Sequence, residues 1–437
     1  MRGMCFRQTW NLLRQERLFG AIYIVGTGLS ITVVMVLSII YYVRVGDIYP
    51  ETNRGRLLIT GRVTERLKDG SNRRNAGLSP DAVERCFASL RSAEAVTAVY
   101  ATGERSRVET EGGDGMLRVD AKYVDADFWR VFPFRFVSGR AFDGAEFRSG
   151  VRTAVIAESL ARRVFGTADA AGRVIQFNFY SYRVCGVVRD APFAARWSYA
   201  QLWAPYTVHE GSRRASGAEG VLGGMTVYVL APSAGGRAEV RREVAENVRR
   251  YNGTLREVEL ELRGQPDRQW QAALRPAGDG EADWASVLRR FGGMLFVLVL
   301  VPAVSLSGMT DSRMERRMVE MGVRRAFGAP VRSLMMQIMT ENFLFTLPGG
   351  ILGLLLSYAV IILGRNWILQ LGGVAVDVAP AGAGVMFTPA MLLNMPVFAI
   401  ALAVCFLLNL MSALIPAWRH ARRAIVYSLH SSNHPPC

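Results

Sequence analysis

The chain has 437 residues, half of them apolar, and a formal net charge of +15. Its length allows two or three domains. The excess charge is concentrated beside long apolar runs, which excludes nucleic acid as its main explanation.

Residues 1–19 carry Arg2, Arg7, Arg14 and Arg17, with Trp10, Leu12, Leu13, Leu18 and Phe19 interleaved. That pattern predicts an amphipathic helix lying on membrane lipids at the cytoplasmic face. Residues 20–43 form the first of four long uncharged runs. The others are 291–310, 342–364 and a last stretch from 388 whose predicted span is 395–415. A bilayer core about 30 Å thick needs roughly 20 apolar residues in helix, and each run is long enough. The first run is too long for the apolar core of a cleaved leader, and no small-x-small pattern follows it before Arg44. The predicted fold class is therefore a membrane protein. Four transmembrane α-helices carry a large α+β extracytoplasmic domain, 44–290, between the first two.

Within 44–290 short strands and helices alternate. Strands are expected at Leu57–Val63, Val96–Tyr100, Leu117–Val124, Thr153–Ile156 and Thr226–Leu230, and a hairpin, Val174–Phe179 with Tyr182–Val188, around Tyr180-Ser181. Ser79 and Pro80 open a helix toward Ser92, Gly166 closes one over Glu158–Phe165, and a third runs from about Arg237 to Tyr251. This order predicts two subdomains, followed by a polar tether over Asp267–Asp283. Trp129, Phe132, Phe134, Trp197 and Trp203 have two readings, groove lining or core packing. Cys86 and Cys185 are the two cysteines on the outer side, and sequence leaves open whether they pair.

Residues 311–341 are read as a cytoplasmic segment with a basic helix, roughly Ser312 to Phe327, capped by Gly328. The segment before residue 20, the segment 311–332 and the tail 416–437 together hold nine of the fifteen excess positive charges. Short basic segments beside spans mark the cytoplasmic side, so both termini are expected there, with 365–394 outside. From Pro330 a helix is expected to run past Glu341 into the third span as far as Pro348. Gly349 and Gly353, with Gly350 between, form a small-xxx-small pair suited to close helix packing or a dimer face, with local kinking as the plainer alternative.

Signatures of catalysis are absent. The four histidines form no HExxH pair, there is no Gly-x-Ser-x-Gly, and neither Lys68 nor Lys122 stands in a phosphate-binding Gly-x-x-x-x-Gly-Lys-Ser/Thr loop. The predicted spans hold no central charge, which argues against ion-coupled transport.

Glu320-Met321-Gly322-Val323-Arg324-Arg325-Ala326-Phe327-Gly328-Ala329, then Glu341 and the glycines at 349, 350 and 353, resembles the signature of the MacB/FtsX family of ABC-transporter permeases. So do the closing Pro416-Ala417-Trp418-Arg419-His420-Ala421 and, in the outer domain, Gly139-Arg140-Ala141-Phe142, Ala154–Gly166 and Tyr182–Asp190. The resemblance implies a permease subunit without a fused ATPase and without a cofactor of its own, ATP being bound by a partner ABC ATPase subunit. It implies a homodimer, or a heterodimer with a related permease, in a bacterial inner membrane, passing ATP-driven motion to the outer domains (mechanotransmission) for export or envelope trafficking of a small molecule, peptide or lipoprotein. A periplasmic adaptor and an outer-membrane channel are left open. The expected ATPase contact comprises Arg316, Arg317, Glu320, Met321, Gly322, Arg324, Arg325, Phe327 and Gly328. The alternative is an FtsX-like regulator activating a periplasmic cell-wall hydrolase.

Overall fold

The computed structural model describes residues 21–36 apart from 23 and 30, residues 46–275 apart from 102–105 and 110–114, and the helix Val331–Leu363, with side chains from 347 onward. It adds isolated positions between 284 and 293 and at 399, 403 and 407. Two compact units result, one over Tyr42–Val287 and one containing helix 21–36 and helix Val331–Leu363.

The outer unit is built on one continuous sheet. At its centre Leu57–Thr60 and Ala95–Tyr100 flank Met225–Leu230, both antiparallel to it. Side chains alternate across a strand, so this centre serves two cores. Leu58, Ala98, Val227 and Val229 face one way, against Val240, Val244, Val248 and Tyr251 of helix Arg237–Asn252. Leu57, Ile59, Val99, Tyr228 and Leu230 face the other way, into a core with Phe128, Phe132, Phe134 and Trp203. The two expected subdomains are thus two cores sharing one sheet.

Beyond Ala95–Tyr100 the sheet continues through Ala121–Val124 to Leu202–Pro205, which run parallel, and then to Thr153–Ala157. Thr153–Ala157 is buried along its whole length and runs parallel to Tyr180–Val188. Helix Glu158–Phe165 covers this part of the sheet with Leu160, Ala161 and Val164 and stops at Gly166, whose φ of +72° suits glycine.

Several expected boundaries move. Leu57–Val63 divides at Gly61-Arg62, and Val63–Leu67 turns away to pair with Arg73–Leu78 and Val258–Glu261. The stretch 117–124 divides at Asp120 into Met116–Val119 and Ala121–Val124, which pair with different strands. Ser79 caps its helix by accepting from Ala82 N–H at 3.2 Å, but the helix ends by Ser89. The hairpin turns at Asn178-Phe179, not at Tyr180-Ser181. Both residues have positive φ (+48° and +69°), the geometry that matches the twist of a two-residue hairpin, and Asn178 Oδ1 accepts from Arg107 N–H at 2.8 Å.

The expected tether is overturned for residues 267–275. Asp267–Arg268 pairs with Leu57–Thr60 as an added strand, and helix Gln269–Leu274 follows. Asp267 is polar yet buried, because Arg275 neutralises it. The amphipathic segment 1–19, the tether's remainder 276–283 and the start of the fourth span lie outside the described residues.

In the second unit, helix Val331–Leu363 runs straight through Pro348, where the missing N–H removes one backbone bond without ending the helix. Among the described residues no helix is long and apolar enough to cross a membrane.

Candidate functional site

In the outer unit Glu51 and Arg54 are buried on the entry side, near residue 46, and Asp267 on the exit side, beside Arg275, while Glu65 is buried elsewhere and accepts from Ala218 N–H. On the entry side Arg54 and Glu51 form an ion pair, 3% and 1% exposed. Arg54 Nε donates to Glu51 Oε2 at 2.7 Å, its Nη1 to Gly46 O at 2.7 Å and its Nη2 to Ala194 O at 3.2 Å. The other carboxylate oxygen, Glu51 Oε1, accepts from Trp197 N–H and Ser198 N–H at 2.9 Å and from the Ser198 hydroxyl at 3.0 Å. Both charges are therefore neutralised and hydrogen-bonded, the condition for keeping them away from water. Lys122 holds the same loop from the sheet side, donating to Arg196 O at 2.9 Å and Trp197 O at 2.6 Å. Burial pushes its amine down to about 8, against the opposing pull of Glu51. Tyr49 adds a further tie, its hydroxyl accepting from Arg135 N–H at 3.0 Å and donating to Arg189 O at 3.3 Å.

On the exit side Arg275 grips Asp267 with two parallel bonds, Nε to Oδ2 at 2.5 Å and Nη2 to Oδ1 at 2.7 Å. The forked geometry suits guanidinium and carboxylate. The two sides are directly joined, since Ile59 pairs with Asp267 and Leu58 with Arg268.

A third carboxyl, Asp125, accepts from the Thr97 hydroxyl at 2.6 Å and from the N–H groups of Ala98 and Phe128 at 2.7 and 3.1 Å. Burial pushes it up to about 7, against those bonds. It ties the strand Ala95–Tyr100 to helix Phe128–Val131.

In the other unit the predicted glycines lie at a helix crossing. A Cβ on Gly349 would stand 2.9 Å from Thr27 Cβ, and one on Gly353 would stand 2.7 Å from Gly28 O and 2.8 Å from Ile31. Only glycine lets the two backbones come this close. The Thr32 hydroxyl lies 2.8 Å from Gly28 O in its own helix and 3.2 Å from Gly353 O across the crossing. Gly350 is buried in the same helix, whereas Glu341 lies on a turn whose side chains are outside the described residues. The expected ATPase contact, Arg316 to Gly328, is outside them too.

The outer aromatics pack as core. Trp203, Phe132 and Phe134 are buried, and Trp129 meets Phe134, Phe142 and Trp203 edge to face at 5.7, 5.8 and 6.0 Å. Cys86 and Cys185 are both free thiols, in separate cores. Sequence reading missed Glu51, Arg54, Asp125, Asp267 and Arg275. The i,i+3 spacing of Glu51 and Arg54 was the one local signal, and it is equally common on solvated turns.

Over residues 21–247 the chain matches the family model of the MacB-like periplasmic core domain, and over residues 292–425 that of the FtsX-like permease C-terminal. It is 21% identical over 235 residues to the uncharacterized ABC transporter permease YknZ of Bacillus subtilis (strain 168), covering 54% of this chain and 55% of that protein. Against macrolide export ATP-binding/permease protein MacB of Mannheimia succiniciproducens the identity is 22%, over 57% of this chain and 36% of the other. Against MacB of Chromobacterium violaceum it is 28%, over 54% and 34%. The matched stretch thus spans about half of YknZ and about a third of the MacB proteins. Among solved structures the chain is similar to the periplasmic region of MacB from Actinobacillus actinomycetemcomitans, with 17% identity, a TM-score of 0.35, and coverage of 52% of this chain and 98% of that one. The extracellular domain of YknZ gives 14% identity and a TM-score of 0.33, over 46% and 98%.

Proposed function

The chain belongs to the MacB/FtsX family of ABC transporter permeases, and from that membership we propose that it is the mechanotransmitting subunit of such a transporter. In this reading four spans hold the chain in a bacterial inner membrane, with both termini cytoplasmic and 44–290 outside. A separate ABC ATPase binds ATP and docks on residues 311–341, and two permease chains form the working dimer. The motion reaches the outer domains and serves export or envelope trafficking of a small molecule, peptide or lipoprotein.

The observation that carries the reading is the joining of the two connections. Leu57–Thr60 and Asp267–Arg268 are neighbouring strands, and each connection is locked by a buried ion pair. Rigid secondary elements with satisfied polar anchors transmit displacement, whereas a flexible tether would absorb it.

The test uses the full chain with the ATPase that co-purifies with it, and spin labels on the exposed hairpin tip at Phe179 of each permease. ATP binding is expected to change the label-to-label distance. Charge reversal of Arg324 and Arg325 to Glu is expected to abolish that change and the stimulation of ATPase activity while leaving membrane insertion intact. Unaltered distances during turnover, or full stimulation in the reversed variant, would sink the proposal.

A further inference from the structure

Arg237, Arg241 and Arg268 form a basic patch beside the joined connections. Arg237 and Arg241 stand one turn apart near the start of helix Arg237–Asn252. Arg237 Nη1 donates to Gly55 O at 2.5 Å, and Arg241 Nη2 to Gly264 O at 2.6 Å. Arg268 is exposed and sits opposite Leu58 in the strand pair. The patch therefore straddles the entry and exit segments.

Among the described residues no carboxylate neutralises its charge. Nearby carboxylates are committed elsewhere: Glu51 to Arg54, Glu94 to Arg56, Asp267 to Arg275 and Glu239 to Arg242. Among the described residues none of the three arginines forms an ion pair, and Arg237 Nε is buried without an acceptor. Burial first, and the neighbouring Arg268 charge second, hold Arg237 below the ordinary arginine value. Like charges kept together without a counter-charge are unfavourable unless an anion is supplied from outside.

The surroundings point to the source of that anion. Two residues past Arg268, the Trp270 ring meets Trp284 at 5.6 Å, and Arg275 lies over the Trp284 ring at 5.6 Å. Paired indoles next to cations are the chemistry of a membrane–water interface. We propose that Arg237, Arg241 and Arg268 bind the phosphate of an anionic lipid headgroup, anchoring the base of the outer domain to the outer leaflet. Planar guanidinium forks suit a phosphodiester, which offers two oxygens per contact. The proposal rests on the reading of 44–290 as an outer domain between two spans.

The experiment follows the unfolding midpoint of the full chain in detergent with added phosphatidylglycerol, phosphatidylcholine or inorganic phosphate. Phosphatidylglycerol is expected to raise the midpoint by several degrees, and the other two to leave it in place. Arg268→Gln, at an exposed position, is expected to remove a large part of the shift. Adding Arg237→Gln and Arg241→Gln is expected to remove the rest. A full shift in Arg268→Gln, or no shift in the wild type, overturns the proposal, and so does an equal shift with inorganic phosphate, which would assign the patch to a soluble anion. If the triple variant does not fold, the single variant decides. Labelling of Gly70→Cys in whole cells with a membrane-impermeant maleimide separates the two ideas. A labelled cysteine without a lipid effect refutes only the anchor, whereas an unlabelled one refutes the topology beneath it.

Discussion

Arg54→Ala removes the counter-charge of a carboxylate that is 1% exposed. It also strips an acceptor's partner from Gly46 O and Ala194 O, while Glu51 keeps its bonds from Trp197 and Ser198. Removing one member of a buried ion pair costs about 3–5 kcal/mol, because the remaining charge stays away from water without compensation. For a domain of this size each kcal/mol lowers the melting point by about 2–4 °C, so a drop of roughly 6–20 °C is expected. The double variant Glu51→Gln/Arg54→Met should lose much less than the sum of its single changes. The Gln Oε1 can still accept from the Trp197 and Ser198 N–H groups, and no charge is left buried. The assay is thermal unfolding of the full chain in detergent, followed by tryptophan fluorescence, with Trp197 and Trp203 reporting directly on this region. An Arg54→Ala midpoint within about 2 °C of the wild type, or strictly additive effects in the double variant, would refute the claim that this pair locks the entry connection.

Gly353→Ala sets a methyl group 2.7 Å from Gly28 O, so the two helices must separate; a loss of about 1–3 kcal/mol is expected, read as a lower midpoint of the detergent-solubilised chain. Asp125 gives a pH signature. Its folded carboxyl sits at about 7 and the unfolded one near about 3.9, so between those values the folded state holds the extra proton. Stability from this group therefore falls as pH rises across that window, by about 1.4 kcal/mol per unit at most, and levels off above it. Asp125→Asn should flatten the slope, and chemical denaturation at stepped pH checks this. Cys86 and Cys185, with thiols pushed up to about 12 by burial, should react with thiol reagents at neutral pH only after unfolding. Reducing agent should leave the melting point unchanged; rapid labelling at Cys86 or Cys185 in the native chain would contradict the burial.

Local signals in the sequence matched the structure where the cause itself is local. Ser79 with Pro80 starts a helix, Gly166 ends one, and helix Arg237–Asn252 begins at the expected residue. These depend on backbone groups within a turn of the residue concerned. The hairpin was legible as a pair of strands but not in its register, because Asn178 is held in its left-handed conformation by Arg107 from a distant strand. The division of 117–124 at Asp120 was equally hidden, since each half takes a partner from elsewhere in the chain.

Composition, the basic flanks of the apolar runs and the motifs around Glu320 to Gly328 and Ala154 to Gly166 were enough to assign the family, because they are written in residue order. The joined connections were not legible. A polar run such as Asp267–Arg275 reads as solvated until another strand lies beside it and a guanidinium is folded onto its carboxylate. Burial of a charge is a property of its neighbours in space, and for Glu51, Arg54, Asp125 and Asp267 those neighbours include residues 27 to more than 200 positions away. Sequence determined several main elements of the outer domain, but not others such as Phe136–Gly139, Leu202–Pro205 and Val258–Glu261. The tertiary structure decided which charges are buried, and with that how the outer domain is held at both of its ends.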